Sequence, residues 1–205
     1  MTPDKTYCIN LKHRPERWER TQHEFKTRCS NIKTKRFNAI FNSKGWPGCR
    51  DSHLAVLKMC RDNKNIMIVE DDVNFLFDIN ALLATIDSQL PADWEMLYIG
   101  ANFRSANFEK PLTKYSRNLI QVTQCWGTYA YIINNNNGLI NEILSQSENI
   151  RKIDVFYAEH IQPRGKCYAI YPMAATIYDG YSDVTRKETD YQKSIYNSYY
   201  KNIQL

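Results

Sequence analysis

The chain has 205 residues, with 27 Lys and Arg against 22 Asp and Glu, a formal charge of +5. That length suits one domain able to bury about 70% of the surface its unfolded chain exposes, and aromatic and charged shares of 13% and 24% exclude disordered, collagen-like and coiled-coil classes. The positive excess is small and dispersed, so it suits an anionic small molecule or a membrane surface as well as nucleic acid, and no nucleic-acid-binding module is recognisable.

The opening MTPDKTYCINL passes straight into an apolar strand pattern, with no basic segment ahead of an apolar one. No secretory signal is expected, and a cytoplasmic location is. Residues 6–11 predict a buried strand, followed by a polar helix beginning at Pro15, where proline suits the first helical position. Residues 35–40 predict a second strand and 52–63 a helix with Leu54 and Leu57 inward. The run 66–69 is apolar throughout, as in a strand covered on both faces, and ends in Glu70, Asp71 and Asp72. No apolar run of the chain is long enough to span a bilayer.

Further on, the pattern predicts a helix near 80–89, a strand at 96–99 and a Lys/Arg/Asn-rich loop over 101–117. Strands at 119–123 and 129–133 are expected to pair, with a helix at 138–145 and a strand at 167–171 after them. The alternation of β and α elements predicts an α/β domain with a mostly parallel sheet flanked by helices. Two parts are expected, a domain over 1–185 and a tyrosine-rich tail over 186–205. In the tail Tyr191, Ile195, Tyr199 and Ile203 recur every four residues, which fits a helix packed on its own domain or, less commonly, one lying on a membrane. The six Cys show no C-x-x-C spacing and no zinc-like cluster with His, and read as reduced thiols.

Three clusters carry candidate chemistry. Three adjacent carboxylates at a strand end repel one another unless a cation or strong donors neutralise them. Glu70 and Asp72, two apart, share a face and offer hard oxygen ligands to Mg²⁺ or Mn²⁺, although an acidic turn of this kind is also met simply solvated. In Gly48-Cys49-Arg50-Asp51-Ser52-His53, Ser52 is placed to cap the following helix. His53 is placed to donate to a phosphate or sugar hydroxyl, or to sit as an ordinary capping-turn histidine. Asn10 at the first strand's end suits a base or ribose, with Arg14 and Arg17 near enough to fork onto phosphate. Arg20 is expected on the solvated helix face, and Trp94 and Trp126 serve either the core or a sugar face.

Taken together and in order, INLKHRPER (9–17), GCRDSH (48–53), IVEDDV (68–73), DWEMLYIG (93–100), GTYAYII (127–133) and KID (152–154) resemble glycosyltransferase family 25. That family includes bacterial lipooligosaccharide and animal collagen galactosyltransferases. The resemblance runs from Tyr7 to about Asp183, and NLIQVTQCWGTYAYII and YPMAATIYDGYSD look more similar to the collagen-modifying branch. A GT-A-type, Rossmann-like fold is implied, with a UDP-sugar donor, an inverting transfer to a glycan or protein hydroxyl, and Mn²⁺ or Mg²⁺ held by Glu70 and Asp72. Asn10, Arg14, Arg17, Ser52, His53 and Asp71 form the implied nucleotide-sugar set.

Asp154 matches the family's late aspartate and is the implied base; an aspartate there equally suits a helix N-cap before 155–160. Glu159, His160, Asp183 and Asp190 are secondary candidates, with surface exposure the default. Trp46-Pro47 departs from the family pattern and leaves the geometry of that loop open. A lone domain of this kind resembles bacterial or viral members. Two other readings share the fold: a metal-dependent nucleotidyltransferase, for which the usual Gly-rich phosphate loop is missing, and an inert binding module.

Overall fold

Strands with apolar residues on both faces must lie inside a covered sheet, and those of this chain do. The computed structural model describes residues 1–103, 112–182, 186–201 and 203–204. Strands β1 (Lys5–Asn10), β2 (Thr34–Asn38) and β3 (Asn65–Glu70) alternate with helices α1 (Pro15–Arg28) and α2 (Trp46–Met59). Past Asp71-Asp72 come β4 (Val73–Phe75), α3 (Ile79–Asp87), β5 (Met96–Tyr98), β6 (Leu112–Lys114), β7 (Leu119–Gln121), β8 (Ala130–Asn134) and α4 (Leu139–Ser145). A short α5 (Ile153–Phe156) continues through a π turn, Tyr157–Ile161, and a 3-10 turn, Gln162–Arg164. The chain closes with β9 (Cys167–Ile170), β10 (Ala175–Ile177), β11 (Gly180–Ser182), β12 (Lys187–Thr189), α6 (Tyr191–Lys201) and β13 (Ile203–Gln204).

Nine strands form one sheet in the order β13-β6-β7-β9-β5-β8-β3-β1-β2. β1 is parallel to β2 and β3, β5 to β9, and β6 to β13; β8 runs against β3 and β5, and β7 against β6 and β9. All but β7 and β8 therefore point one way, and the expected mostly parallel α/β sheet flanked by helices is what the chain forms. β1 has β2 on one side and β3 on the other, so strand order reverses there and a crevice opens beyond the carboxyl ends of β1 and β3.

The expected pairing of 119–123 with 129–133 does not occur: β7 lies between β6 and β9, and β8 between β3 and β5. Every residue of β8 is buried, which only an inner position satisfies. Helix α2 begins six residues before the expected Ser52, because Gly45 at φ 76° turns the chain and Pro47 sits in the first turn, where its missing N–H costs nothing. A proline and two glycines in sequence read as loop, yet Gly48 is there for proximity: a Cβ on it would lie 2.3 Å from the Ile40 carbonyl oxygen. The 101–117 loop falls partly outside the described residues, at 104–111, as does Asp183.

The core is rich in tyrosine, and its hydroxyls find partners, as buried phenols must. Tyr98 accepts from Gln162 Nε2 at 2.8 Å, Tyr131 meets His53 at 2.9 Å, and Tyr199 donates to the Ile170 carbonyl. Ile195 and Tyr199 of α6 are fully buried, so those positions of the four-residue repeat face the chain's own core. Among the described residues no helix is long and apolar enough to cross a membrane.

Gly100, two residues past β5, sits in a gap with no spare volume: a Cβ there would lie 2.2 Å from the Ala175 carbonyl oxygen and 2.5 Å from the Tyr129 ring. Gly100→Ala is expected to lower stability by at least about 2 kcal/mol, in the range of an overpacked core, read as a lower urea midpoint at unchanged slope.

Candidate active site

A cleft of about 530 Å³ opens at the crevice beyond β1 and β3. Its floor is the acidic turn Glu70-Asp71-Asp72; α2 and the segment before it form one wall, and the start of α5 and the β11–β12 hairpin form others. Asp154 lines the same cleft, with Lys152 and Ile153 beside it. Residues from 9 to 191 thus meet in one hollow.

The turn is held from beneath. Asn10, fully buried, donates through Nδ2 to Asp71 Oδ2 at 2.6 Å and to the Arg14 carbonyl at 2.9 Å. Arg17 on α1 reaches Asp71 Oδ1 at 3.0 Å, lies 3.7 Å from Asp72 Oδ2, and also donates to the Tyr181 carbonyl. Thr21 donates to the Asp71 carbonyl, and the buried Glu24 accepts from the Phe75 amide and the Tyr178 hydroxyl, fixing the strand that follows. Arg20 is not solvated as expected: its guanidinium lies 4.2 Å from the Tyr178 ring centroid, because α1 packs that face toward the turn.

Glu70 points the other way, toward α2. Its Oε1 accepts from Thr128 Oγ1 at 2.7 Å and lies 3.4 Å from His53 Nε2. Burial raises the Glu70 carboxyl, but His53 and Thr128 together outweigh it and hold it below its ordinary value. Asp72 has no such support. Burial first, and then the charges of Glu70 and Asp71, push its carboxyl up to about 8, and its buried Oδ1 has no hydrogen-bond partner among the described residues. Asp71 is also raised, burial outweighing Arg17 and Asn10.

The structure gathers most of the residues singled out in the sequence, in roles their spacing did not reveal. Glu70, Asp71, Asp72, Asp154, Arg17, Ser52 and His53 line the cleft; Asn10 lies beneath it, and Arg14 turns its Nε to Glu16 at 2.7 Å. Ser52 caps nothing: lying inside α2, it donates to the Gly48 carbonyl at 2.6 Å and accepts from the Ile40 amide at 2.8 Å. His53 is no capping-turn residue either, since α2 starts earlier and buries it completely. The N-cap of α5 is Lys152, so Asp154 stands in the first turn, where its Oδ1 accepts from the Val155 amide at 2.9 Å.

Trp94 fills core, whereas Trp126 lines the cleft; Glu159, His160 and Asp190 are exposed. Thr128 and Tyr131 were not foreseen. Thr128 precedes β8 and Tyr131 lies within it, three positions apart, so strand alternation does not put them on one face. Their contacts to Glu70 and His53 arise from the bend ahead of β8 and from tertiary packing, with no local signal to mark them.

A family model described as "Glycosyltransferase family 25 (LPS biosynthesis protein)" matches residues 41–157, more than half of the chain. No curated protein sequence matches. Among solved structures, a glycosyltransferase involved in the glycosylation of the major capsid of PBCV-1 is similar, at 9% identity, with 89% of this chain and 95% of that one covered and a TM-score of 0.50. At that identity the likeness is one of fold. A197 from STIV aligns at 12% identity over 91% of this chain and 95% of that one, with a TM-score of 0.48.

Arg17 and Asp71 are a nearly buried pair, with side chains 12% and 10% exposed. Removing one partner strands the other's charge, so Arg17→Met is expected to cost about 3 kcal/mol in cation-free buffer. Adding Asp71→Asn should recover most of that loss in urea unfolding; a double variant no more stable than the single one would show that the charge pair is not what holds the turn.

Proposed function

The chain belongs to glycosyltransferase family 25, and on that premise we propose that its cleft binds a UDP-hexose, galactose or glucose, on a GT-A-type scaffold. The sugar passes with inversion to a hydroxyl of a glycan, as on a lipo-oligosaccharide, or of a collagen-like protein. One observation carries this reading: the acidic turn and Asp154, far apart in sequence, line one cleft at the strand-order reversal.

The donor set of the turn fits a hard divalent cation. Asp72 Oδ1 is buried without a partner among the described residues, and both hydrogen-bonding contacts of Glu70 fall on Oε1, leaving Oε2 available. Glu70 and Asp72 are the residues that would hold Mn²⁺ or Mg²⁺. Such an ion would offset the charge developing on the departing diphosphate.

The remaining work falls to the chain's own groups. Arg17 and Asn10 keep Asp71 in place, so the turn presents its carboxylates in one arrangement. Asp154 takes the proton from the acceptor hydroxyl as that oxygen bonds to the anomeric carbon; the bond to UDP breaks and its electron pair leaves on the diphosphate. Lys152 and Arg186, both lining the cleft, add positive charge for a diphosphate.

The direct test is UDP release from a panel of UDP-sugars with and without Mn²⁺, acceptor omitted. Mn²⁺-dependent release from one sugar supports the reading and names the donor. No release, together with no rise in melting temperature from UDP and Mn²⁺, favours an inert binding module. Asp72→Ala is expected to abolish Mn²⁺-dependent turnover, and unchanged turnover with unchanged Mn²⁺ dependence would remove the turn from the mechanism. Asp154→Asn is expected to keep donor affinity while transfer to acceptor falls at least about a hundredfold, the scale of a lost general base.

A further inference from the structure

Cys49 and His53 stand one turn apart on α2 and therefore share a face of the helix, while Glu70 ends strand β3 opposite them. The Cys49 sulfur, a ring nitrogen of His53 and a carboxylate oxygen of Glu70 all lie within 4.8 Å of one another, and all three residues line the cleft. This set differs in kind from the all-oxygen acidic turn. Thiolate and imidazole with one carboxylate select zinc-type ions, whereas carboxylates alone suit Mg²⁺ or Mn²⁺.

The groups are also oriented from behind. His53 Nδ1 lies 2.9 Å from the Tyr131 hydroxyl, itself 3.4 Å from that of Tyr157, which leaves Nε2 toward Glu70. A partner on one ring nitrogen that frees the other is the usual support of a ligating histidine. Thr128 Oγ1, 2.7 Å from Glu70 Oε1, steadies the carboxylate in the same way. Tetrahedral zinc holds its ligands at about 2.0–2.3 Å and hence less than about 4 Å apart, so the cluster needs to contract by roughly 1 Å.

We propose that Cys49, His53 and Glu70 form a second cation site, selective for zinc-type ions, that shares Glu70 with the acidic turn. Binding forms a sulfur–metal bond and releases the Cys49 thiol proton to solvent. An ion held there withdraws Glu70 from the turn and so opposes the hard cation. The site stands independently of the transferase reading; its effect on turnover rests on that reading.

The test titrates the reduced full chain with Cd²⁺ in excess Mg²⁺, following the thiolate-to-cadmium charge-transfer absorbance and the protons released. One equivalent is expected to produce the band with release of about one proton. Cys49→Ser should abolish both, and Tyr131→Phe should weaken Cd²⁺ binding about tenfold to a hundredfold, as for other groups that orient a ligating histidine. Asp72→Ala should keep the band. No band in the unaltered chain, or one that survives Cys49→Ser and so comes from another thiol, overturns the proposal. In donor turnover with Mn²⁺, added Zn²⁺ should inhibit, and Cys49→Ser should return the ratio of rates with and without Zn²⁺ toward one. A chain that gives the band but neither turns over donor nor gains melting temperature from UDP and Mn²⁺ keeps this site and loses the transferase reading.

Discussion

One buried charge pair organises the active end of this molecule. The Arg17 guanidinium sits between the first helix and the acidic turn, bonded to Asp71, near Asp72, and tied to the Tyr181 carbonyl on the far hairpin. Three carboxyl groups packed at the end of a covered strand would otherwise repel one another apart. The Arg17 side chain, 12% exposed, opposes them from the inside with the charge of Arg20 behind it, while Asn10 fixes one carboxylate by hydrogen bonding. At Asp72, burial and the neighbouring carboxylates outweigh the cations that face it. That carboxyl keeps a proton well above the ordinary carboxylate range unless positive charge arrives from the cleft side.

The opposite wall is built differently. Glu70 leaves the turn's charge cluster to meet His53 and Thr128, and His53 is fixed by a chain of phenols running into the core. That wall is rigid because its polar groups are satisfied in a low-dielectric interior, where each bond polarises the next. The cleft thus joins an over-charged floor to a well-compensated wall, with Glu70 belonging to both.

Much of this was legible before any coordinates. The apolar run ahead of Glu70 announced an inner strand, the alternation of elements announced the sheet, and the carboxylates announced the floor. What local pattern could not carry was pairing across distance. A buried strand such as β8 has no polar face to reveal which neighbours it takes, so its place between β3 and β5 was invisible. Helix α2 starts earlier than its pattern suggests because proline and glycine are punctuation in most contexts, and the approach of Ile40 explains Gly48. Arg17 and Arg20 looked alike on a polar helix; the difference between them is set by residues more than fifty positions away. Ser52 and His53 reach the cleft from inside α2, not from its start.

The antiparallel seat of β8 has a consequence for how the chain is made. On a ribosome, β1, β2 and β3 can assemble early, but β3 then waits as a bare sheet edge until β8 appears, from residue 70 to residue 130. At ~5–20 residues per second that interval is about 3–12 s. The waiting edge is Asn-Ile-Met-Ile-Val-Glu, with no lysine, proline or bulge to discourage a stranger. Nascent chains of this protein therefore expose an unguarded apolar strand edge during synthesis, and the strand that hides it also delivers Tyr131 behind His53.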